Sequence, residues 1–214
     1  MSDDFFDTRY EGKEISLSDN RVGPGDDINI TAKDPTMTSI VMGLGWDLNA
    51  FTGGDIDLDA SCLLLDKHGK TKEDEHFVFY NNLQACGGAV THNGDNRTGA
   101  GDGDDETISL DLNGIPFDIV RVSFVISIYQ AYEREQNIGM IKNAFIRLVN
   151  AANSHEILRY DLTEQLADRQ ETAMVVAHLD REGPKWHFRP QATFIEKGLG
   201  QAASETGIVV QHGE

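Results

Sequence analysis

The sequence predicts an all-β chain folded as a two-sheet β-sandwich, with a few short helices and a C-terminal helix. Three observations predict it. Apolar residues alternate with polar ones in run after run, clusters of Gly, Asn and Asp separate those runs, and helical spacing is confined to a stretch near the end. A chain of 214 residues is long enough to bury one sizeable core. The expected organisation is a polar, aperiodic N-terminal arm over residues 1–14, followed by a sandwich domain over residues 15–210.

The strands follow from period two. Ile40, Met42, Leu44 and Trp46 share one face of an extended segment, as do Ile56, Leu58, Ala60, Cys62 and Leu64. Val120, Val122, Phe124, Ile126 and Ile128 give a long strand of the same kind. Shorter candidates are 77–80, 144–149, 157–160, 174–179 and 186–189, the last two flanking a hairpin connection over 180–185. A short helical turn is expected over 163–167. Phe194, Ile195, Leu199, Ala202 and Ala203 fall at helical spacing, with Gly207 as the stop.

Charge narrows the function. The formal net charge is −18, with 36 acidic residues against 18 basic ones. Such a surface repels phosphate backbones, so nucleic acid is excluded as a partner, and an anionic membrane is approachable only through a bound cation. The two cysteines, Cys62 and Cys86, form no CxxC pair and read as free thiols of a reducing compartment. The N-terminus is acidic where a secretory signal would be basic, and no apolar run approaches the roughly 20 residues that span a bilayer. A cytoplasmic protein is expected, with the inner face of the membrane as its one peripheral site.

The acids are concentrated. Residues 47–106 carry 13 acidic side chains against four basic ones, which is half the net charge of the chain in 60 residues. In an extended Gly53-Gly-Asp55-Ile-Asp57-Leu-Asp59, the three carboxylates share one face about 6.5 Å apart. At an effective dielectric near 20 each neighbouring pair repels by about 2.5 kcal/mol, so the segment resists forming unless it is hydrated or a cation lies among the acids. A second cluster runs from Asn93 through Asp95, Asn96, Asp102, Asp104 and Asp105 to Glu106. It combines glycine turns with hard oxygen donors, a set suited to Ca²⁺ and poorly suited to zinc or copper. Neither segment is an EF-hand, because Ala60, Arg97 and Gly99 fall where that loop needs other residues.

Several blocks together resemble the TerD-type tellurium-resistance and general-stress proteins. They are Gly43-Leu-Gly-Trp-Asp47, Asp55-Ile-Asp-Leu-Asp-Ala-Ser61, Phe77-Val-Phe-Tyr-Asn-Asn82, Gly94-Asp-Asn-Arg-Thr-Gly99 and Gly103-Asp-Asp-Glu106. Ser127-Ile-Tyr129, Gln136-Asn-Ile-Gly139, Asn143-Ala-Phe-Ile-Arg147 and Glu171-Thr-Ala-Met174 continue the pattern in order, so that it spans about residues 35–200. The resemblance implies a non-enzymatic β-sandwich that holds two or more Ca²⁺ ions. Its ligands map onto Asp55, Asp57, Asp59, Asp95, Asn96, Asp104, Asp105 and Glu106. Asp47 and Asp102 stand behind these or face solvent. Gln130 replaces an acidic residue of the family pattern, with Glu133 as a substitute oxygen donor.

The expected function is a calcium-dependent scaffold whose partners are other stress-response proteins. The first alternative is a module that reaches lipid or glycan through calcium. The second is a metal-dependent phosphoesterase, for which His92 is the one base the sequence offers. Trp46 is expected to pack beneath the acidic loops, and Arg147 to counter them or to face solvent.

Overall fold

The computed structural model describes residues 20–47, 56–94 and 103–210. Its strands are β1 (Ile28–Asn29), β2 (Ser39–Asp47), β3 (Leu58–Leu65), β4 (Phe77–Val78), β5 (Gln84–Ala85), β6 (Val90–His92) and β7 (Glu106–Asp111). They continue as β8 (Arg121–Ile128), β9 (Lys142–Asn150), β10 (Glu156–Asp161), β11 (Ala173–Glu182) and β12 (Lys185–Ile195). Helices are short: α1 (Ile30–Lys33), α2 (Thr163–Leu166) and α3 (Gly198–Glu205). One sheet has the order β1-β12-β11-β8-β3-β4 and the other β10-β9-β2-β7-β6-β5. Every strand pairing within them is antiparallel.

The alternation read from the sequence faces inward. Ile40, Met42, Leu44 and Trp46 of β2 meet Leu58, Ala60, Cys62 and Leu64 of β3 in one core, with Phe124, Ile146, Leu148 and Phe188. Each large side chain fully removed from water contributes about 1.5–3 kcal/mol, enough to fix the register of both sheets. Strand β3 is buried on its other face as well. There Leu63 and Leu65 join Phe77, Val125, Ile195, Ala202 and Ala203 in a second, smaller core beneath α3. A strand covered on both faces explains the unbroken Cys62-Leu-Leu-Leu65 run.

The C-terminal helix differs from its sequence expectation. Phe194 and Ile195 belong to β12, paired with Met174 and Ala173 of β11, and the helix begins only at Gly198. Helical spacing was satisfied, but the backbone partners offered by β11 extend the strand past it. Gly207 ends the segment as expected, with a φ of 103° that favours glycine. The 180–185 connection is a tight hairpin in which Glu182 pairs with Lys185 across Gly183 and Pro184. Strand β7 was missed altogether: Glu106 read as the end of an acidic loop, while Ile108 and Leu110 alternate into the core behind it.

Candidate functional site

The register brings the predicted acids to one end of the sandwich. Leu58 at the start of β3 pairs with Ile128 at the end of β8, Leu44 pairs with Glu106, and Asp47 pairs with Lys142. The starts of β3 and β7 therefore lie at the same edge as the end of β2. Asp55, Asp95, Asn96 and Asp102 lie outside the described residues. The other five predicted ligands fall into three places.

Asp59 of β3 alternates with Leu58 and Ala60, on the side that further along carries Leu63 and Leu65, and Asp57 directly precedes the strand. Asp57 is half-buried and Asp59 only 4% exposed. The Asp57 carbonyl accepts the amide of Tyr129 at 2.9 Å, which fixes the loop after β8 beside this segment. Burial, and after it the Asp59 charge, pushes the Tyr80 phenol above its usual range. Gln130 follows in the left-handed region at φ 51°, with its side-chain oxygen directed to Arg134.

Asp104 and Asp105 lie on the outer face of the second sheet. Asp104 makes a two-pronged ion pair with Arg147, at 2.7 Å and 3.1 Å. That carboxylate rests flat on β2 because residue 43 is glycine: any Cβ there would overlap it. A Cβ at Gly45 would likewise overlap the Phe145 ring, so the two glycines of the Gly-Leu-Gly-Trp motif clear space for neighbours across the strand. The Asp105 carboxylate accepts the Trp46 amide at 3.0 Å, and its own amide bonds the Leu44 carbonyl. Burial, with the charges of Asp104 and Asp47, raises the Asp105 carboxyl above its ordinary value. Trp46 is in the core beneath this segment, as expected, with its indole N–H making no hydrogen bond.

Glu106 points the other way, between the sheets. Its Oε2 accepts the Ala60 amide of β3, and His92 Nε2 approaches the Ala60 carbonyl at 3.1 Å. Strand β4 pairs only with Cys62 and Leu63, so the edge of β3 at Ala60 lies beyond its reach. A carboxylate and an imidazole from the opposite sheet complete that edge. His92 Nδ1 accepts the Gly94 amide at 3.2 Å, which leaves the proton on Nε2 facing Ala60. Both ring nitrogens are thus engaged in a side chain only 3% exposed, and the base the phosphoesterase alternative relied on is committed to structure. Sequence reasoning missed this role for Glu106 and His92, because a contact across two sheets leaves no local pattern.

The chemistry of the end is that of hard oxygen donors with crowded negative charge, which fits a hard divalent cation. Among the described residues, Asp57, Asp59, Asp104, Asp105 and Glu106 do not by themselves bring three carboxylates together within 4.8 Å. Asp47 is held by Asn143 at 2.6 Å, a contact that the sequence did not suggest. Both cysteines are free thiols; burial pushes Cys62 far above the normal thiol range. No helix among the described residues is long and apolar enough to cross a membrane.

Two antiparallel six-stranded sheets with carboxylates gathered at one end define an acidic β-sandwich class. Residues 20–205 match the model of the TerD domain, and the chain belongs to that family. It is 44% identical over 184 residues to the tellurium resistance protein TerD of Alcaligenes sp., covering 86% of this chain and 95% of that one. It is 42% identical over 187 residues to general stress protein 16U of Bacillus subtilis, covering 87% and 96%. Among solved structures, a homologue of telluride resistance protein (TerD) from Streptomyces coelicolor superposes with a TM-score of 0.64 at 19% identity. That match covers 81% of this chain and 99% of the other and speaks for the fold. The relatives are named as resistance and stress proteins, and the chain is a member of that tellurium-resistance and general-stress family.

Proposed function

We propose that the acidic end of the sandwich binds calcium, two or more ions to the chain, and that the protein serves as a non-catalytic scaffold ordered by that metal. The observation that carries the reading is the strand register, which gathers Asp47, Asp57, Asp59, Asp104, Asp105 and Glu106 at one end of the sandwich, a set of hard oxygen donors suited to a divalent ion. Asp57 and Asp59 supply oxygen at the same edge from the other sheet, as a place for an ion separate from Asp105, and Asp55, Asp95 and Asn96 are assigned as further ligands on sequence grounds. Asp104 and Glu106 stay in the set, but each also has a structural partner, in Arg147 and in the Ala60 amide.

The partners are other stress-response proteins of the cytoplasm, docking on a surface that the ion makes rigid and less negative. A membrane reached through calcium is the second reading. What favours it is Tyr132, 91% exposed in the loop that begins at Tyr129 beside Asp57.

The test is a calorimetric titration of metal-stripped protein with Ca²⁺ and Mg²⁺, followed by thermal unfolding. Calcium at a hundred times its dissociation constant adds about 2.7 kcal/mol of stability for one site. Asp57→Asn combined with Asp59→Asn removes that gain while keeping the volume of both side chains. A wild type whose melting temperature ignores calcium would defeat the proposal.

A further inference from the structure

A second cluster of ligating side chains lies at the opposite end of β3. The chain leaves β3 at Leu65 and returns to β4 through a single 3₁₀ turn, Asp74–His76, preceded by Glu73. Strand β3 has eight residues, so this turn and the acidic end are separated by roughly 20 Å. In the turn, one carboxylate oxygen each of Glu73 and Glu75 and one ring nitrogen of His76 all lie within 4.8 Å of one another.

Three features separate this cluster from ordinary surface charge. His76 is 93% buried (7% exposed), and its Nδ1 has no hydrogen-bond partner. A buried polar nitrogen left in that state costs about 1–3 kcal/mol unless something else satisfies it. Glu73 and Glu75 are exposed, and neither side chain is engaged in a hydrogen bond or ion pair among the described residues. The backbone of the turn is held independently of them: Asn82 Nδ2 donates to the carbonyls of Glu75 and Phe77 at 3.1 Å and 2.7 Å.

We propose that Glu73, Glu75 and His76 form a zinc-type site, distinct from the acidic end in position and in ligand chemistry. An imidazole nitrogen with two carboxylates suits a borderline ion such as Zn²⁺, whereas Ca²⁺ seeks six to eight oxygens. Tetrahedral zinc with bonds near 2.0–2.2 Å places its ligands roughly 3.3–3.5 Å apart. His76 is fixed by burial, and rotation of the two exposed glutamates closes the remaining distance. Three protein ligands leave the fourth position to water, so the ion remains accessible from the surface. Glu73, Glu75 and His76 form a set only once the chain tightens into a 3₁₀ turn.

The test is a calorimetric titration of zinc into the full-length, metal-stripped protein in millimolar calcium. One zinc ion per chain is expected, with calcium failing to displace it. Affinity falls at least about tenfold in Glu73→Gln/Glu75→Gln, which melts like the wild type without metal because both side chains are exposed. Nitrogen–proton correlation spectra of the imidazoles add a second readout: one histidine shifts with zinc, and that signal is absent in His76→Ala. Undiminished zinc affinity in the double variant, zinc that binds only when calcium is withheld, or no zinc binding would each overturn the assignment. None of these outcomes bears on calcium at the other end.

Discussion

Two buried or half-buried aspartates on this sandwich carry opposite burdens. Asp180, on the outer face of the first sheet, is 5% exposed, and burial alone would raise its carboxyl. Hydrogen bonds from Arg121 at 2.8 Å and Arg189 at 2.7 Å outweigh burial and hold it below its ordinary range. Arg189 also reaches Asp27 at 2.8 Å and Glu182 at 2.5 Å. Asp105, at the acidic end, is shifted upward by burial and by the charges of Asp104 and Asp47, which together outweigh the hydrogen bond it accepts from the Trp46 amide. On one face the chain supplies its own cations. At the other end, among the described residues, Arg147 pairs with Asp104, while burial and the charges of Asp104 and Asp47 raise Asp105. On the proposed calcium reading, that difference is where an external cation would act.

The largest effect should come from breaking the self-sufficient region. Asp180→Ala leaves two guanidinium groups without the buried carboxylate that joins them, and because both are partly exposed and Arg189 keeps Asp27 and Glu182 the cost is about 3 kcal/mol, the low end for a buried pair. Urea denaturation should show that loss equally with and without calcium. A loss that appeared only in calcium would mean that the two regions are coupled, and the contrast between them would fail.

Next in size is an acid-dependent term from the same face. His178 Nδ1 lies 2.9 Å from the Ser123 hydroxyl. Burial, aided by Arg121, lowers the imidazole from 6.5 to about 4. Its folded value is depressed, so below pH 6.5 the unfolded chain takes up a proton that the folded chain refuses. Stability from this group is therefore complete above pH 6.5 and declines as pH falls towards 4, by roughly 3 kcal/mol in all. Denaturation midpoints measured from pH 7 to 4 should fall along that window, and His178→Gln should flatten the slope. A wild-type profile level between pH 6.5 and 4.5 would show that the imidazole is not held neutral.

How much of this was legible in the sequence depends on the range of each interaction. Alternation in β2, β3 and β8 is a local property, and the structure places those side chains in the core. The sandwich could be read for the same reason. The face of Asp57 and Asp59 was legible too, because period two assigns it once Leu58 and Ala60 are inside. Contacts between sheets were not. Glu106 looked like the last acid of a loop, and only the register of β7 against β2 turns it inward to the Ala60 amide. Arg147 and Asp104 are 43 positions apart, and their pairing depends on a bare glycine in a third strand. The C-terminal helix failed at its start for a related reason, since helical spacing says nothing of the strand partners available to Phe194 and Ile195.

The smallest effect is the sharpest probe of the comparison. Asp105→Asn keeps an oxygen to accept the Trp46 amide while removing the charge that Asp104 and Asp47 repel. A folded carboxyl raised above its unfolded value lowers stability at pH values above the folded one, and that penalty disappears on acidification. The metal-free variant should therefore be slightly more stable than the wild type at pH 7, by under about 0.5 kcal/mol for a half-buried group still screened by solvent, and equal to it near pH 3. In calcium the order should reverse, because the wild type gains an ion that the amide holds less tightly. A variant less stable than the wild type in both conditions would mean that the Asp105 charge stabilises the fold, as that of Asp180 does, and the two ends of the comparison would become one.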